Sequence, residues 1–92
     1  MAIDVHIPYA LRHECGGAAE LRINSAPTVR AALDQLEVQY PAIYRSVCHE
    51  NGELRRHINL FVNLKLVPRG AGLKSALNAG DKLTIMTAVS GG

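Results

Sequence analysis

Gly91 and Gly92 stand last in the sequence, behind Ala88, Val89 and Ser90. This run is where residue types and spacing could do chemistry. Without Cβ atoms, an extended Gly-Gly can enter a slot too narrow for any other dipeptide and present its terminal carboxylate to an active centre elsewhere. From Ala88 to Gly92 such a segment reaches at most about 17 Å at ~3.4 Å per residue. Glycines also end chains that merely fray, so the dipeptide alone does not choose between a delivery arm and a loose end. Ser90 has no His-Asp pattern nearby to activate it, and it reads as an accessible arm residue rather than a nucleophile.

The remaining reactive side chains do not assemble into a site by spacing. Cys15 and Cys48 are too few and too far apart for a metal framework, and in a reducing compartment they are expected as free thiols. His6, His13, His49 and His57 show neither a paired helical spacing nor partner cysteines, so no metal site is expected. Gly16-Gly17 repeats the terminal dipeptide internally, where it has no free carboxylate and reads as a loop.

With 92 residues the chain is expected to form one domain, able to bury a core without staples. Its 48% apolar and 20% charged residues are ordinary for a soluble globular protein, and a formal charge of +2 is too small to signal nucleic-acid binding. Arg55-Arg56-His57 is the densest basic cluster and reads as a solvated strand entrance. Asp4 follows the start closely and no apolar run nears the ~18 residues of a membrane span. Neither signal peptide nor transmembrane helix is expected, and the cytoplasm is the expected compartment.

Period-two alternation over Ile3–Ile7 and Glu20–Asn24 predicts two strands, each with one buried face, joined as a hairpin through Glu14–Gly17. Thr28 is placed to cap a helix near residues 28–40, with Val29, Ala32, Leu33, Leu36 and Tyr40 on one face. Pro41 disfavours helical geometry at Tyr40 and should end that helix. An irregular stretch carrying Ile43 and Val47 then leads through Asn51-Gly52 to a strand over Ile58–Asn63. Turn chemistry follows Val67-Pro68, with a one-turn segment near Leu73–Leu77, and Gly80-Asp81 turns into a last strand from Leu83.

These elements predict an α+β fold in which a mixed sheet of four to five strands grips one main helix. Ile3, Val5, Ile7, Leu21, Ile23, Leu60, Val62, Leu83 and Ile85 should point inward. Alternation then turns Phe61 and Met86 outward beside the tail, where the pair reads equally as a small apolar docking patch or as a Phe61 partly covered by its neighbours. Residues 1–87 form the expected domain and residues 88–92 a flexible tail.

Taken in order, a set of motifs carries a resemblance that runs nearly the whole chain. They are Leu11-Arg12 before Gly16-Gly17, Leu36 and Tyr40-Pro41, Gly52 before Leu54-Arg55-Arg56, and the Asn59–Asn63 strand. Gly72-Leu73, Leu77 and Gly80-Asp81 follow, ahead of Ile85 and Ala88–Gly92. The sequence resembles the ubiquitin-like sulfur carriers of the thiamine and molybdopterin biosynthesis type, the ThiS/MoaD family. Within it the features are most similar to the branch that serves cysteine synthases or natural-product sulfur transfer. Thr87 stands where that branch usually has proline, Ala79 where an acidic residue often precedes Gly-Asp, and Leu64-Lys65-Leu66 replaces an acidic hairpin tip. These positions lie where partners would discriminate.

The resemblance implies a β-grasp fold and a protein cosubstrate, not an enzyme. An adenylating enzyme of the ubiquitin-activating type would use ATP to convert the Gly92 carboxylate to an acyl-adenylate. A sulfur donor of rhodanese or cysteine desulfurase type would then leave a thiocarboxylate, which a client synthase for cysteine, thiamine, molybdopterin or a sulfur-containing natural product would consume. The carrier binds no cofactor, metal, nucleic acid or membrane in this reading. Gly91, Ser90, Val89 and Ala88 would thread the partner while Met86 and Phe61 dock. Two alternatives share the same tail: a ubiquitin-like modifier conjugated to lysines through Gly92, and the small subunit of a molybdopterin-synthase-like complex.

Overall fold

The computed structural model describes residues 2–88. The expected alternation builds β1 (Ala2–His6) and β2 (Glu20–Asn24), which pair antiparallel with Ile3 opposite Ile23 and Val5 opposite Leu21. Between them lies a 3-10 helix, Tyr9–Cys15. It ends at Gly16, where φ is +71°, and Gly17 continues at +87°, a left-handed path that favours glycine. That backbone requirement explains the internal Gly-Gly pair.

The first α-helix, α1 (Val29–Gln39), starts as predicted: the Thr28 side chain accepts the Ala31 N–H at 3.1 Å. Its buried face is Val29, Ala32, Leu33 and Leu36. The expectation of a single helix followed by irregular chain is corrected here, because α2 (Pro41–Val47) follows after one residue, Tyr40. The proline that stops α1 also begins α2. Its ring excludes helical geometry from the residue before it, yet its fixed φ suits the first helical position, where the missing N–H has no intrahelical partner to lose. Ile43, Tyr44 and Val47 are the buried side of α2.

Beyond Gly52 come β3 (Ile58–Val62), the short β4 (Lys65–Leu66) and β5 (Lys82–Thr87). A second 3-10 helix spans Gly70–Lys74, a few residues earlier than the one-turn segment expected at Leu73–Leu77. The sheet order is β2-β1-β5-β3-β4. β5 lies in the middle, parallel to β1 (Val5 opposite Leu83) and antiparallel to β3 (Leu60 opposite Ile85). A parallel β1–β5 pair requires a long crossover, and α1, α2 and β3–β4 all lie within it. The result is a five-stranded mixed sheet gripping its helices.

Ile3, Val5, Ile7, Leu33, Leu36, Ile43, Val47, Ile58, Leu60, Leu83 and Ile85 have no exposed surface, and Leu21 and Ile23 are nearly as buried. The inward set is therefore as predicted, except that Val62 is only half-buried against the core. Asn63 turns β3 into β4 with φ +55°. Its side chain donates to Asp81 Oδ1 at 3.1 Å and accepts the Lys82 N–H at 3.1 Å, tying the hairpin tip to the start of β5.

Candidate functional site

Leu60 and Ile85 face the core, so the residues between their inward neighbours face the other side of the sheet. Asn59 lies opposite Met86, and Phe61 opposite Thr84. Phe61 and Met86 are thus diagonal neighbours on one surface, within the ~7–8 Å at which large side chains interact across a ladder. Met86 is 46% exposed. Phe61 faces outward but is half-buried, and Leu66, directly opposite it on β4, shares its face. Leu66 is itself 57% exposed and Leu64 at the turn is almost wholly so. The outward apolar strip is therefore Leu66, Phe61 and Met86, one residue longer than the expected pair. The signal for Leu66 was the two-residue turn at Asn63-Leu64, which places 66 across from 61.

Ala88 follows Met86 by two positions and lies on the same face by alternation. Its N–H donates to the His57 carbonyl at 2.7 Å, one step past the Ile58–Thr87 pair, so the sheet's hydrogen bonding reaches the first residue of the expected tail. The exposed Ala88 is therefore still held by the sheet, and His57 supplies the last rung. Val89, Ser90, Gly91 and Gly92 lie outside the described residues. The structure brings Phe61, Met86 and Ala88 to one face.

Among the described residues no group of three or more His, Cys, Asp or Glu side chains could hold a metal ion. Cys48 is buried at the end of α2, and burial pushes its thiol above the usual range against the opposing influence of the nearby Arg30. A protonated, enclosed thiol is a poor nucleophile. Cys15 is half-buried, with Sγ 3.5 Å from the Arg12 carbonyl and 3.6 Å from that of Ala18. The Glu14 carboxylate accepts the Ser46 hydroxyl at 2.5 Å, which joins the first 3-10 helix to α2. No helix among the described residues is long and apolar enough to cross a membrane.

Known proteins share this architecture and its length. A model of the ThiS family matches residues 5–92. The sulfur carrier protein CysO of Mycobacterium bovis is 35% identical over 94 residues that cover all of both chains. Small archaeal modifier protein 1 of Haloferax volcanii is 37% identical over 81 residues, 86% of this chain and 88% of that protein. In the crystal structure of the Amycolatopsis orientalis BexX/CysO complex, one chain superposes with a TM-score of 0.85 at 35% identity, covering 99% of this chain and 100% of that one. Sequence match and β-grasp topology agree over almost every residue, and the chain belongs to the ThiS family.

Proposed function

We propose that this protein is a sulfur carrier whose reactive group is the carboxylate of Gly92. The observation that carries the reading is 35% identity, along the whole of both chains, to a protein named as a sulfur carrier, with a family match that runs through Gly92 itself. The fold supports it, because the outward strip and the Ala88 root lie together on one face. A resting carboxylate is a poor electrophile. An adenylating partner would therefore join the Gly92 carboxylate to the α-phosphate of ATP, with pyrophosphate as the leaving group. The outer sulfur of the donor's persulfide would then attack the acyl carbon, expelling AMP and forming an acyl disulfide. A second thiol would attack the donor-side sulfur of that disulfide, forming a new disulfide with the donor and releasing a thiocarboxylate whose sulfur is the nucleophile in a client enzyme.

In this scheme the protein is a cosubstrate and supplies no general base. Gly91 and Gly92 permit close approach, Ala88, Val89 and Ser90 are small enough for a narrow channel, and Phe61 and Met86, extended by Leu66, dock the activating enzyme. ATP is consumed by that partner rather than bound by the carrier. The complex of a CysO relative with BexX supports the expectation that the carrier works by binding a partner enzyme. We place it in the cytoplasm with an activating enzyme, a sulfur donor and a client synthase.

The test is ATP–pyrophosphate exchange with a purified adenylating enzyme and the full chain. Exchange should require the carrier and vanish when Gly92 is deleted, since the carboxylate would then stand about 3.5 Å short of the α-phosphate. Equal exchange with the deleted chain would refute the assignment of Gly92. The likeness to an archaeal modifier protein gives a second reading, in which a lysine amine attacks the same acyl-adenylate and an isopeptide bond results.

A further inference from the structure

The His57 carbonyl that holds Ala88 sits in a short turn whose other carbonyls are collected by one side chain. Arg69 donates from Nη1 to the Arg55 carbonyl at 3.2 Å, and from Nη2 to the carbonyls of Arg56 at 2.8 Å and Ile58 at 2.5 Å. The fourth carbonyl of this stretch, His57, takes the Ala88 N–H. Arg69 and the Ala88 N–H between them reach all four successive carbonyls of residues 55–58, and the Arg55 carbonyl also accepts the Ile58 N–H at 3.0 Å within the turn. Among the described residues Arg69 forms no ion pair, so its guanidinium serves the turn rather than a carboxylate.

Arg69 is itself well anchored. It immediately precedes the 3-10 helix Gly70–Lys74, and the Val67 N–H bonds to the Leu60 carbonyl at 2.8 Å two residues earlier. Gly72 closes the bend: a Cβ there would lie 2.9 Å from Pro68 Cδ, a rigid ring atom that cannot move aside. On the other side, Arg55 is fixed to α2, its N–H on the Val47 carbonyl at 2.9 Å and its Nε on the Arg45 carbonyl at 2.6 Å. The turn is held at both ends, and only the planar fork of an arginine offers enough donors to span three carbonyls at once.

We infer that Arg69 is a positioning residue for the carboxyl-terminal segment: by gathering the carbonyls of Arg55, Arg56 and Ile58 it keeps the His57 carbonyl aimed at Ala88, and so fixes the root from which Gly92 must reach a partner's active centre. The functional half of this inference rests on the carrier reading above. Four extended residues span about 14 Å, so rocking the root by ~20° would move the far end by about 5 Å. That exceeds the tolerance of a reaction whose atoms must approach to about 3–3.5 Å.

The experiment uses the full chain, labelled with 15N, as wild type and as Arg69→Ala and Arg69→Lys. Hydrogen exchange at the Ala88 amide should accelerate about tenfold or more in both variants, while the slowest amides of β1 and β5 stay within about twofold of wild type, because the loss is local. Lysine should not rescue, since one ammonium cannot hold three carbonyls. Unchanged Ala88 exchange would overturn the clamp, and acceleration only in step with the core amides would reduce Arg69 to an ordinary stabilising residue. With an adenylating enzyme, kcat should fall about three- to tenfold with KM within about twofold, because docking is kept and aim is lost. A loosened Ala88 with unaltered kcat would overturn the positioning role. A wild-type chain that is never adenylated would overturn the carrier reading, while the exchange data still decide the clamp.

Discussion

Arg30 on α1 and Tyr44 on α2 meet across the Tyr40-Pro41 break, Nη2 donating to the tyrosine hydroxyl at 2.8 Å. The same guanidinium donates from Nη1 to the Gly52 carbonyl at 2.7 Å and from Nε to Asp34 at 3.1 Å. One side chain therefore joins both helices to the turn that leads into β3. Gly52 occupies that turn with φ +89°, and a Cβ there would approach Arg30 Nη1 to 3.3 Å. Burial raises the Tyr44 hydroxyl above its usual range, opposed by the hydrogen bond from Arg30, so it is neutral at ordinary pH.

Removing that hydroxyl isolates a partly buried donor. Tyr44→Phe should cost about 0.5–1.5 kcal/mol, and Arg30→Ala, which releases three contacts, about 1–3 kcal/mol. Urea unfolding is the check, with the midpoint lowered and the slope unchanged. Midpoints equal to wild type would show that the corner is held by apolar packing alone.

Asp81 gives a pH dependence. Its carboxylate accepts the Asn78 N–H at 2.8 Å and the Asn63 side-chain amide at 3.1 Å, and these bonds, the backbone one foremost, hold its pKa below the usual carboxylate range. A depressed folded-state pKa adds stability that is present above the unfolded value and is lost as pH falls through the folded one. The Tm advantage of wild type over Asp81→Ala should therefore persist at neutral pH and shrink on acidification below the ordinary carboxylate range. A gap that is constant or widens toward acid would contradict this.

The outward strip predicts separable effects on docking and stability. Met86→Asp and Leu66→Asp place a charge on an exposed apolar surface and should weaken binding to the activating enzyme about tenfold or more, with Tm little changed. Phe61→Asp should also lower Tm, because Phe61 is half-buried. Titration calorimetry alongside thermal melts would check this, and unchanged affinity for all three variants would remove the strip from the interface.

Much of this was written in short-range patterns. Alternation located β1 and β2, the turns at Asn51-Gly52 and Gly80-Asp81 announced β3 and β5, and the Thr28 cap marked the start of α1, because each signal lies within a few residues of its effect. Pro41 misled because the ring that terminates one helix is equally suited to begin the next, and only Ile43 and Val47, one turn apart, hinted at α2. The half-burial of Phe61 depends on Leu66 across a hairpin whose register Asn63 sets. Arg69 carried no signal at all: its partners are backbone carbonyls from 11 to 14 residues away, which every residue type possesses.

Sulfur carried on the Gly92 carboxylate would be read in the intact mass of the protein. After incubation with an adenylating enzyme, ATP and a sulfur source, the wild-type chain should gain the mass difference between one sulfur and one oxygen, and fragmentation should place it on Gly92. The chain lacking Gly92 should gain nothing while remaining folded. If the wild-type mass never changes in this way, and the protein is recovered instead linked to lysines of other proteins, the sulfur-carrier account is contradicted and the modifier reading takes its place.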